Sequence, residues 1–371
     1  MRLIRLEISG VRNLSGVSLE CSPGLNLFVG SNGAGKTAIL EAIHLLARGR
    51  SFRSTTAESV IQRGSEYLMV RARLEDEHRG AVSVGLAKHR GNRTELHLNE
   101  VPERRLSDVA RLMPIQLALP DSSDLVFGAP QERRRFVDWG TFHVEPAYLE
   151  QLRDYQRALA QRNALLRYLK GQQSESTERE LDVWTERLIG LASQVDRARQ
   201  SYVARLFPLV LTKLGSLAPE VGLAISYRTG WREGETLEDC LRESAVRDVK
   251  FGLTHYGPHR GDVRLSVDAG AAAATLSRGQ AKVVASALRL AQAELTNEIG
   301  GRHSVFLIDD VGAELDAAHN ERFFQALEAT GSQVFATATS ALALGSAFAG
   351  RRKVFHVEQG SCHPIDTTRE P

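Results

Sequence analysis

The sequence has little of what staples or anchors a protein. Among 371 residues there are three cysteines, Cys21, Cys240 and Cys362, with no C-x-x-C pair and no histidine at metal-ligating spacing. A disulfide framework and a structural zinc site are thereby excluded as the basis of the fold, and reduced thiols are expected. No stretch approaches the ~18 apolar residues of a membrane span. The opening MRLIRLEISG alternates charged and apolar side chains, which reads as a strand rather than a signal or transit peptide; a cytoplasmic chain without a membrane partner is expected. Neither charge dominates: 47 Lys+Arg face 45 Asp+Glu, a net +2, so overall charge does not dictate a nucleic-acid partner. Lysine is scarce, with seven residues (36, 88, 170, 213, 250, 282, 353), so arginine carries most of the positive charge. Arginine's planar fork suits phosphate, but the arginines are spread along the whole chain, as a GC-rich coding sequence would spread them. What is there in quantity is ordinary: 42% hydrophobic and 25% charged residues argue against disorder, and the length suggests about two domains.

Along the chain, residues 1–120 read as strands with one early helix. An apolar run, Leu25–Val29, enters a glycine-rich turn, and a helical pattern follows from Thr37 to Leu46, closing at Gly49. Tyr67–Leu98 alternates again, with charged turns at Glu75–His78 and Lys88–Arg93. From Ala147 to Lys170 the pattern is helical, with Leu152, Tyr155, Leu159, Leu166 and Leu169 on one stripe. After a polar break a longer helix carries Leu181, Trp184, Leu188, Leu191, Val195, Ala198 and Tyr202, a seam of alternating three- and four-residue steps. The two read as an antiparallel hairpin whose second helix runs about 45 Å to Phe207, where Pro208 should end or kink it. The seam serves either an arm or simple packing within one domain. Residues 250–371 return to mixed α/β, and the tail from Gly360 reads as loose.

The strongest chemical signal is Gly30-Ser31-Asn32-Gly33-Ala34-Gly35-Lys36-Thr37, which matches G-x-x-x-x-G-K-[ST] between an apolar strand and a helix. Glycines let backbone N–H groups cradle phosphates, and the helix N-terminus adds positive potential there. Lys36 is expected on the β- and γ-phosphates of ATP and the Thr37 hydroxyl on Mg²⁺. The partner acid belongs at the end of a buried parallel strand, and Ser304–Ile308 followed by Asp309-Asp310 fits. Asp309 is assigned to Mg²⁺, and Asp310 to polarising the attacking water. Between these motifs lies Leu276-Ser277-Arg278-Gly279-Gln280, opening a helix about thirty residues before the acidic strand.

In this order and spacing the motifs resemble ABC-type ATPases, in which Ser277, Gly279 and Gln280 would touch the γ-phosphate bound by a second copy. About 240 residues separate phosphate loop and signature, far more than in a transporter subunit, and they hold the helical hairpin. Head halves at both ends with a helical arm between them resemble the SMC and Rad50 class, although the arm is short and lacks a C-x-x-C hook. Gly49–Arg53, Gly128-Ala129-Pro130, Arg133–Asp138, Gly257–Asp262 and Asp309–Asp316 complete a resemblance to the bacterial RecF family from residue 3 to about 357. The expected fold is α/β, an ABC-type P-loop head built from residues 1–124 and 250–371, with a helical arm inserted over 125–249.

The resemblance implies an ATP-dependent DNA-binding protein of recombinational gap repair, replication restart and SOS induction. It implies a weak ATPase that dimerises on double-stranded or gapped DNA with ATP, acting with RecR, RecO and RecA. Ser277, Arg278, Glu314 and Asp316 are placed at the dimer interface, and Gln116 at the glutamine loop that senses metal and water, against the alternative of a strand-edge glutamine. The switch histidine of ABC heads is absent; the segment reads Phe335-Ala336-Thr337-Ala338-Thr339. A hydroxyl there can hydrogen-bond a γ-phosphate but cannot serve as a base, which fits slow turnover. Arg50 and Arg53 are candidates for DNA contact or for structural ion pairs, and Arg133 and Arg134 for DNA contact or a solvated helix start. His44 is expected to be packed, and the turn bearing His259 and Arg260 to be interfacial rather than catalytic. A transporter motor disagrees with the long insertion, a purely structural tether with the short hookless arm, and a nuclease-coupled relative with the lack of a further acidic domain.

Overall fold

The alternation at the start of the chain forms β1 (Arg2–Ser9), which pairs antiparallel with β2 (Val17–Glu20). A register shift between Leu3 and Arg5 lets Leu3, Leu6 and Ile8 all turn inward. The computed structural model describes residues 1–76, 80–91, 93–118, 123–170, 175–267, 270–311, 317–340, 347–348 and 351–365. The chain divides into two units, one of Met1–Ser122, Lys213–Pro219 and Lys282–Pro371, the other of Ser123–Thr212 and Glu220–Ala281.

In the first unit β3 (Leu25–Val29) leads to α1 (Lys36–Arg48). Strands β4 (Tyr67–Asp76), β5 (Gly80–His89), β6 (Thr94–Leu98) and β7 (Val101–Pro102) follow, and the antiparallel sheet has the order β2-β1-β4-β5-β6-β7. Its inner face, with Leu68, Val70, Leu74, Val84 and Leu86, shares a core with Ile39, Ile43 and Leu46 of α1. A short helix that the sequence pattern does not mark, α2 (Leu106–Leu112), precedes β8 (Ile115–Ala118).

The second unit opens with α3 (Asp124–Phe127) and α4 (Pro130–Val144), then the hairpin of α5 (Tyr148–Leu169) and α6 (Glu175–Leu217). Pro208 does not end α6: the helix runs through it to Leu217, and Thr212 Oγ1 donates to the Pro208 carbonyl. A strong helical pattern on both sides outweighs the one lost N–H. The seam packs within this unit: Leu188, Ala192 and Val195 meet Tyr148, Tyr155 and Ala158 of α5. A third helix lies on them as well. After β9 (Ala224–Arg228) comes α7 (Leu237–Phe251), capped by the Thr236 hydroxyl accepting from Asp239 N–H, with Leu237 and Leu241 in the same cluster. Strand β10 (Asp262–Val267) pairs with β9 and with β11 (Gly270–Ala271), so residues up to Ala281, including 250–281 of the expected head, cluster with this unit. Then come α8 (Ala272–Thr275) and α9 (Arg278–Gly300), which passes into the first unit.

There the chain forms β12 (Val305–Ile308), α10 (Ala317–Ala329), β13 (Gln333–Ala338), β14 (Arg352–Glu358) and β15 (Ser361–Ile365). The second sheet, β15-β14-β3-β13-β12-β8, draws on both ends of the chain. Its inner strands are parallel and buried along their whole length, which is why they read as unbroken apolar runs. Gln333 joins the two sheets: its side chain accepts from Leu3 N–H and donates to the Leu3 carbonyl, both at 2.8 Å. The tail expected to be loose is ordered from Ser361 to Ile365, because it returns as an antiparallel partner of β14. Among the described residues no helix is long and apolar enough to cross a membrane.

A buried ion pair ties the hairpin to α7. Arg162 of α5 donates to Asp248 of α7 (2.8 Å), to Thr254 (2.7 Å) and to Thr185 (2.9 Å), and Asp248 also takes the His255 ring at 2.7 Å. Removing the guanidinium leaves a buried carboxylate with a histidine as its remaining ionisable neighbour. Arg162→Ala is therefore expected to cost about 3–5 kcal/mol in denaturant unfolding; a loss below about 1 kcal/mol would mean that water replaces the guanidinium freely.

Candidate nucleotide site

The site forms where parallel strands end. β13 lies between β3 and β12, so the residues just beyond these strands converge at one edge of the sheet. From β3 the chain turns at Gly30, whose φ of +159° and position under Val357 admit no side chain: a Cβ would sit 2.2 Å from the Val357 carbonyl. The loop then closes on itself. Lys36 Nζ donates to the carbonyls of Gly30 (2.7 Å) and Ser31 (2.9 Å), and Asn13 Nδ2 donates to those of Gly33 and Ala34. Loop and first helical turn thus present backbone N–H groups and one ammonium at the same point.

From β12 come Asp309 and Asp310. Asp309 Oδ1 accepts the hydroxyls of Thr37 (2.9 Å) and Thr337 (2.7 Å), joining the phosphate loop, the acidic strand and β13 through one oxygen. Thr337 is held in turn: its Oγ1 accepts Asp310 N–H at 2.7 Å and its carbonyl accepts Val311 N–H at 2.7 Å. These two bonds fold the chain sharply, and Asp310 takes a φ of +57°, a strain on the order of 1 kcal/mol. Its carboxylate is exposed at the mouth of the site.

A cavity of about 400 Å³ is lined by Arg12, Asn13, Asn32, Gly33, Gly35, Lys36, Thr37, Arg53, Asp309, Asp310 and Thr337. Arg12 and Asn13 carry no motif that singles them out in the sequence. Arg12 Nε and Nη2 fork the Glu41 carboxylate at 2.9 and 2.8 Å, and that bond above all keeps its pKa raised. Glu41, fully buried, also accepts the Ser51 hydroxyl, so α1 anchors the loop at Arg12 and the segment after the helix. A signal existed: Thr37, Glu41 and Leu45 share one face of α1, and a carboxylate on a face that goes inside needs a cation.

A scan of family models matches residues 2–362 to the RecF/RecN/SMC N terminal domain. The DNA replication and repair protein RecF of Marinomonas sp. (strain MWYL1) is 41% identical over 91% of this chain and 90% of its own length. That of Shewanella baltica (strain OS185) is 38% identical over 99% of this chain and 100% of its own. This chain belongs to the RecF family. The structure of the recombination mediator protein RecF bound to ATP superposes with a TM-score of 0.85 at 25% identity, covering 98% of both chains. An Smc head bound to the C-winged helix domain of ScpA superposes at 0.60 and 15% identity, which concerns the fold alone. The architecture is the ABC-type P-loop head of this family, formed from both ends of the chain.

In this RecF-family head Ser277, Arg278 and Gly279 are exposed at the start of α9. Ser277 Oγ accepts Gln280 N–H at 3.2 Å while Gln280 Oε1 accepts Ser277 N–H at 3.0 Å, so the signature is also a capping box. Gln116 is buried on edge strand β8 and donates to Gln292 of α9 at 2.8 Å; it does not line the cavity. Arg53 lines the cavity, whereas Arg50 is exposed and its carbonyl accepts the His44 Nδ1–H at 2.7 Å. His44 is packed as expected, edge-on to Phe52, and burial lowers it to about 4, so it is neutral. Arg133 forks Asp262 at 2.8 and 3.0 Å and Arg134 donates to the Gly261 carbonyl at 2.8 Å, so neither is a freely solvated helix-start arginine. Glu314 and Asp316 lie outside the described residues.

Thr337 is the test of this geometry, since its methyl can stay while its hydroxyl goes. Thr337→Val is expected to slow ATP hydrolysis roughly 10- to 100-fold while the affinity for a fluorescent ATP analogue changes less than about threefold. Unchanged turnover would show that Asp309 and Asp310 need no such support.

Proposed function

We propose that this chain is an ATP-dependent DNA-binding protein of recombinational gap repair. ATP joins two copies on duplex or gapped DNA, and slow hydrolysis releases them. The observation that carries the reading is the convergence of Lys36, Thr37, Asp309, Asp310 and Thr337 on one cavity of a RecF-family head. The relatives' description as DNA replication and repair proteins supports the DNA role. The RecFOR pathway named for the solved RecF structures supports RecR and RecO as partners, with RecA loading downstream.

The chain's own groups divide the work. Gly30–Gly35 and the first turn of α1 receive the phosphates on backbone N–H groups, and Lys36 shifts from the loop carbonyls to the β- and γ-phosphates. Thr37 Oγ1 and an Asp309 oxygen are hard donors that meet at 2.9 Å, a set that fits Mg²⁺ held partly by substrate oxygens. Those two residues would hold Mg²⁺, whose chemistry there is to neutralise phosphate charge. Asp310 carries the exposed carboxylate at the mouth and takes the proton of the attacking water. Thr337 orients both acids but accepts no proton itself, in keeping with slow turnover. Ser277 and the N-terminus of α9 meet the γ-phosphate held by a second copy, with Arg278, Glu314 and Asp316 assigned to the same interface, so the nucleotide acts as part of the interface.

Asp310→Asn separates binding from hydrolysis. Duplex, single-stranded and gapped DNA are titrated with ATP or ADP across a salt series, with oligomer mass read in the same samples. The expected result is tighter duplex or gap binding with ATP than with ADP, falling with salt through counterion release. The variant should keep ATP-dependent binding and lose hydrolysis at least about 100-fold. Dimers indifferent to all three DNAs would sink the DNA role, and wild-type turnover in the variant would place the base elsewhere.

A further inference from the structure

The turn Gly257–Asp262 of the second unit is braced by side chains from several other elements of that unit. Gly257 has a φ of +141°, and a Cβ on it would meet the Tyr155 hydroxyl at 2.7 Å. Arg199 Nη1 donates to the Pro258 carbonyl (2.7 Å), Arg134 Nη1 to the Gly261 carbonyl (2.8 Å), and Arg133 forks Asp262. His259 is clamped from both sides: Nε2 faces the Thr254 carbonyl at 3.1 Å, an acceptor only, so it carries the proton, and Nδ1 accepts the Tyr155 hydroxyl at 2.6 Å. Burial, with lesser help from Arg260, Arg134 and Arg199, lowers this histidine to about 4, so it stays neutral and its tautomer is fixed.

One side chain escapes this bracing. Arg260 is exposed, and among the described residues its guanidinium has neither a carboxylate nor a hydrogen-bond acceptor. The groups around it leave positive charge uncompensated: Arg133, Arg134, Arg199 and Arg260 are set against Asp138 and Asp262, and both carboxylates are already forked or bonded by Arg133 and Arg199. A braced turn whose exposed guanidinium is backed by further guanidiniums is preorganised for a tetrahedral oxyanion.

We propose that Arg260, presented on this braced turn with Arg134 beside it, is a phosphate-binding residue. The phosphate is a diester of the DNA backbone or the terminal phosphate of a nucleotide carried by a second copy of this chain. The inference rests on the proposed function and adds to it a contact outside the phosphate loop, the acidic strand and the signature.

The test compares Arg260→Ala with the unaltered chain in thermal unfolding, in duplex binding with ATP across a salt series, and in mass with ATP and no DNA. The unfolding midpoint should not move, because the exposed side chain supports nothing in the fold. A DNA source predicts roughly fivefold weaker duplex binding and a salt slope lower by about 0.9, with DNA-free mass unchanged. A nucleotide source predicts loss of the ATP-dependent dimer without DNA. Either loss should be partly recovered in Arg260→Lys, which keeps the charge without the fork. A variant equal to the unaltered chain in both assays overturns the inference, as does one that unfolds earlier, since that marks a structural arginine. Failure of the unaltered chain both to dimerise with ATP and to bind DNA is a separate result, which removes the functional reading and this inference with it.

Discussion

One carboxylate oxygen, Oδ1 of Asp309, receives hydroxyls from the phosphate loop and from β13, and the nucleotide site depends on that meeting. It requires β13 to lie between β3 and β12, with Ala338 opposite Val29 and Ala336 opposite Ile308, so that Thr37, Thr337 and Asp309 end at the same height. A parallel sheet buried on both faces fixes that register, because a slip of one residue would turn Thr337 to the other face. The apolar runs that read as buried strands in the sequence are thus also the ruler that positions the acids. The strain at Asp310 follows from the same constraint: its N–H and that of Val311 are both spent on Thr337, and the chain between them bends into a conformation ordinarily left to glycine.

The second unit solves a different problem with the same economy of charge. Its helices bury Arg162 against Asp248 and Arg199 against Asp138, and each pair carries further hydrogen bonds. Such pairs add little net stability compared with apolar packing, but they fix one arrangement, because a misplaced helix strands a charge. In the second unit the turn of Gly257–Asp262 and the capped start of α9 deliver polar groups to the surface in a set orientation. Ser277 and Gln280 satisfy one another in the capping box, so the start of α9 has a fixed shape of its own.

The phosphate loop, acidic strand and signature are legible in the amino-acid sequence because they are local patterns, with their strand–turn–helix context written within a few residues of each. The hairpin is legible too, since its seam is a periodicity. What escapes a linear reading depends on partners far apart in the chain. Arg12 with Glu41, Thr337 with Asp309 and Gln333 with Leu3 are joined only by the tertiary fold. Pro208 does not end the helix because a local rule is set against forty-three residues of helix, and the longer pattern wins. The tail beyond Gly360 misleads because β15 takes its order from β14 rather than from its own composition. Gln116 has the right residue type for a sensing loop, but it is turned to Gln292, and only strand register decides which way a side chain points.

The central claim is that a complete hydrolytic site is shared between two copies, with phosphate loop and acids from one and signature from the other. Mixing two inactive variants tests it directly. Lys36→Ala removes the ammonium from the phosphate loop and Ser277→Arg fills the signature, so each alone should hydrolyse ATP at background level. In a mixed dimer the Ser277→Arg copy keeps an intact phosphate loop and the Lys36→Ala copy an intact signature, giving one whole site. The account predicts that activity returns on mixing, toward roughly a quarter of the wild-type rate for random pairing at equal concentrations. Mixtures that stay at background, or a Ser277→Arg chain active alone, would contradict a site built across two copies.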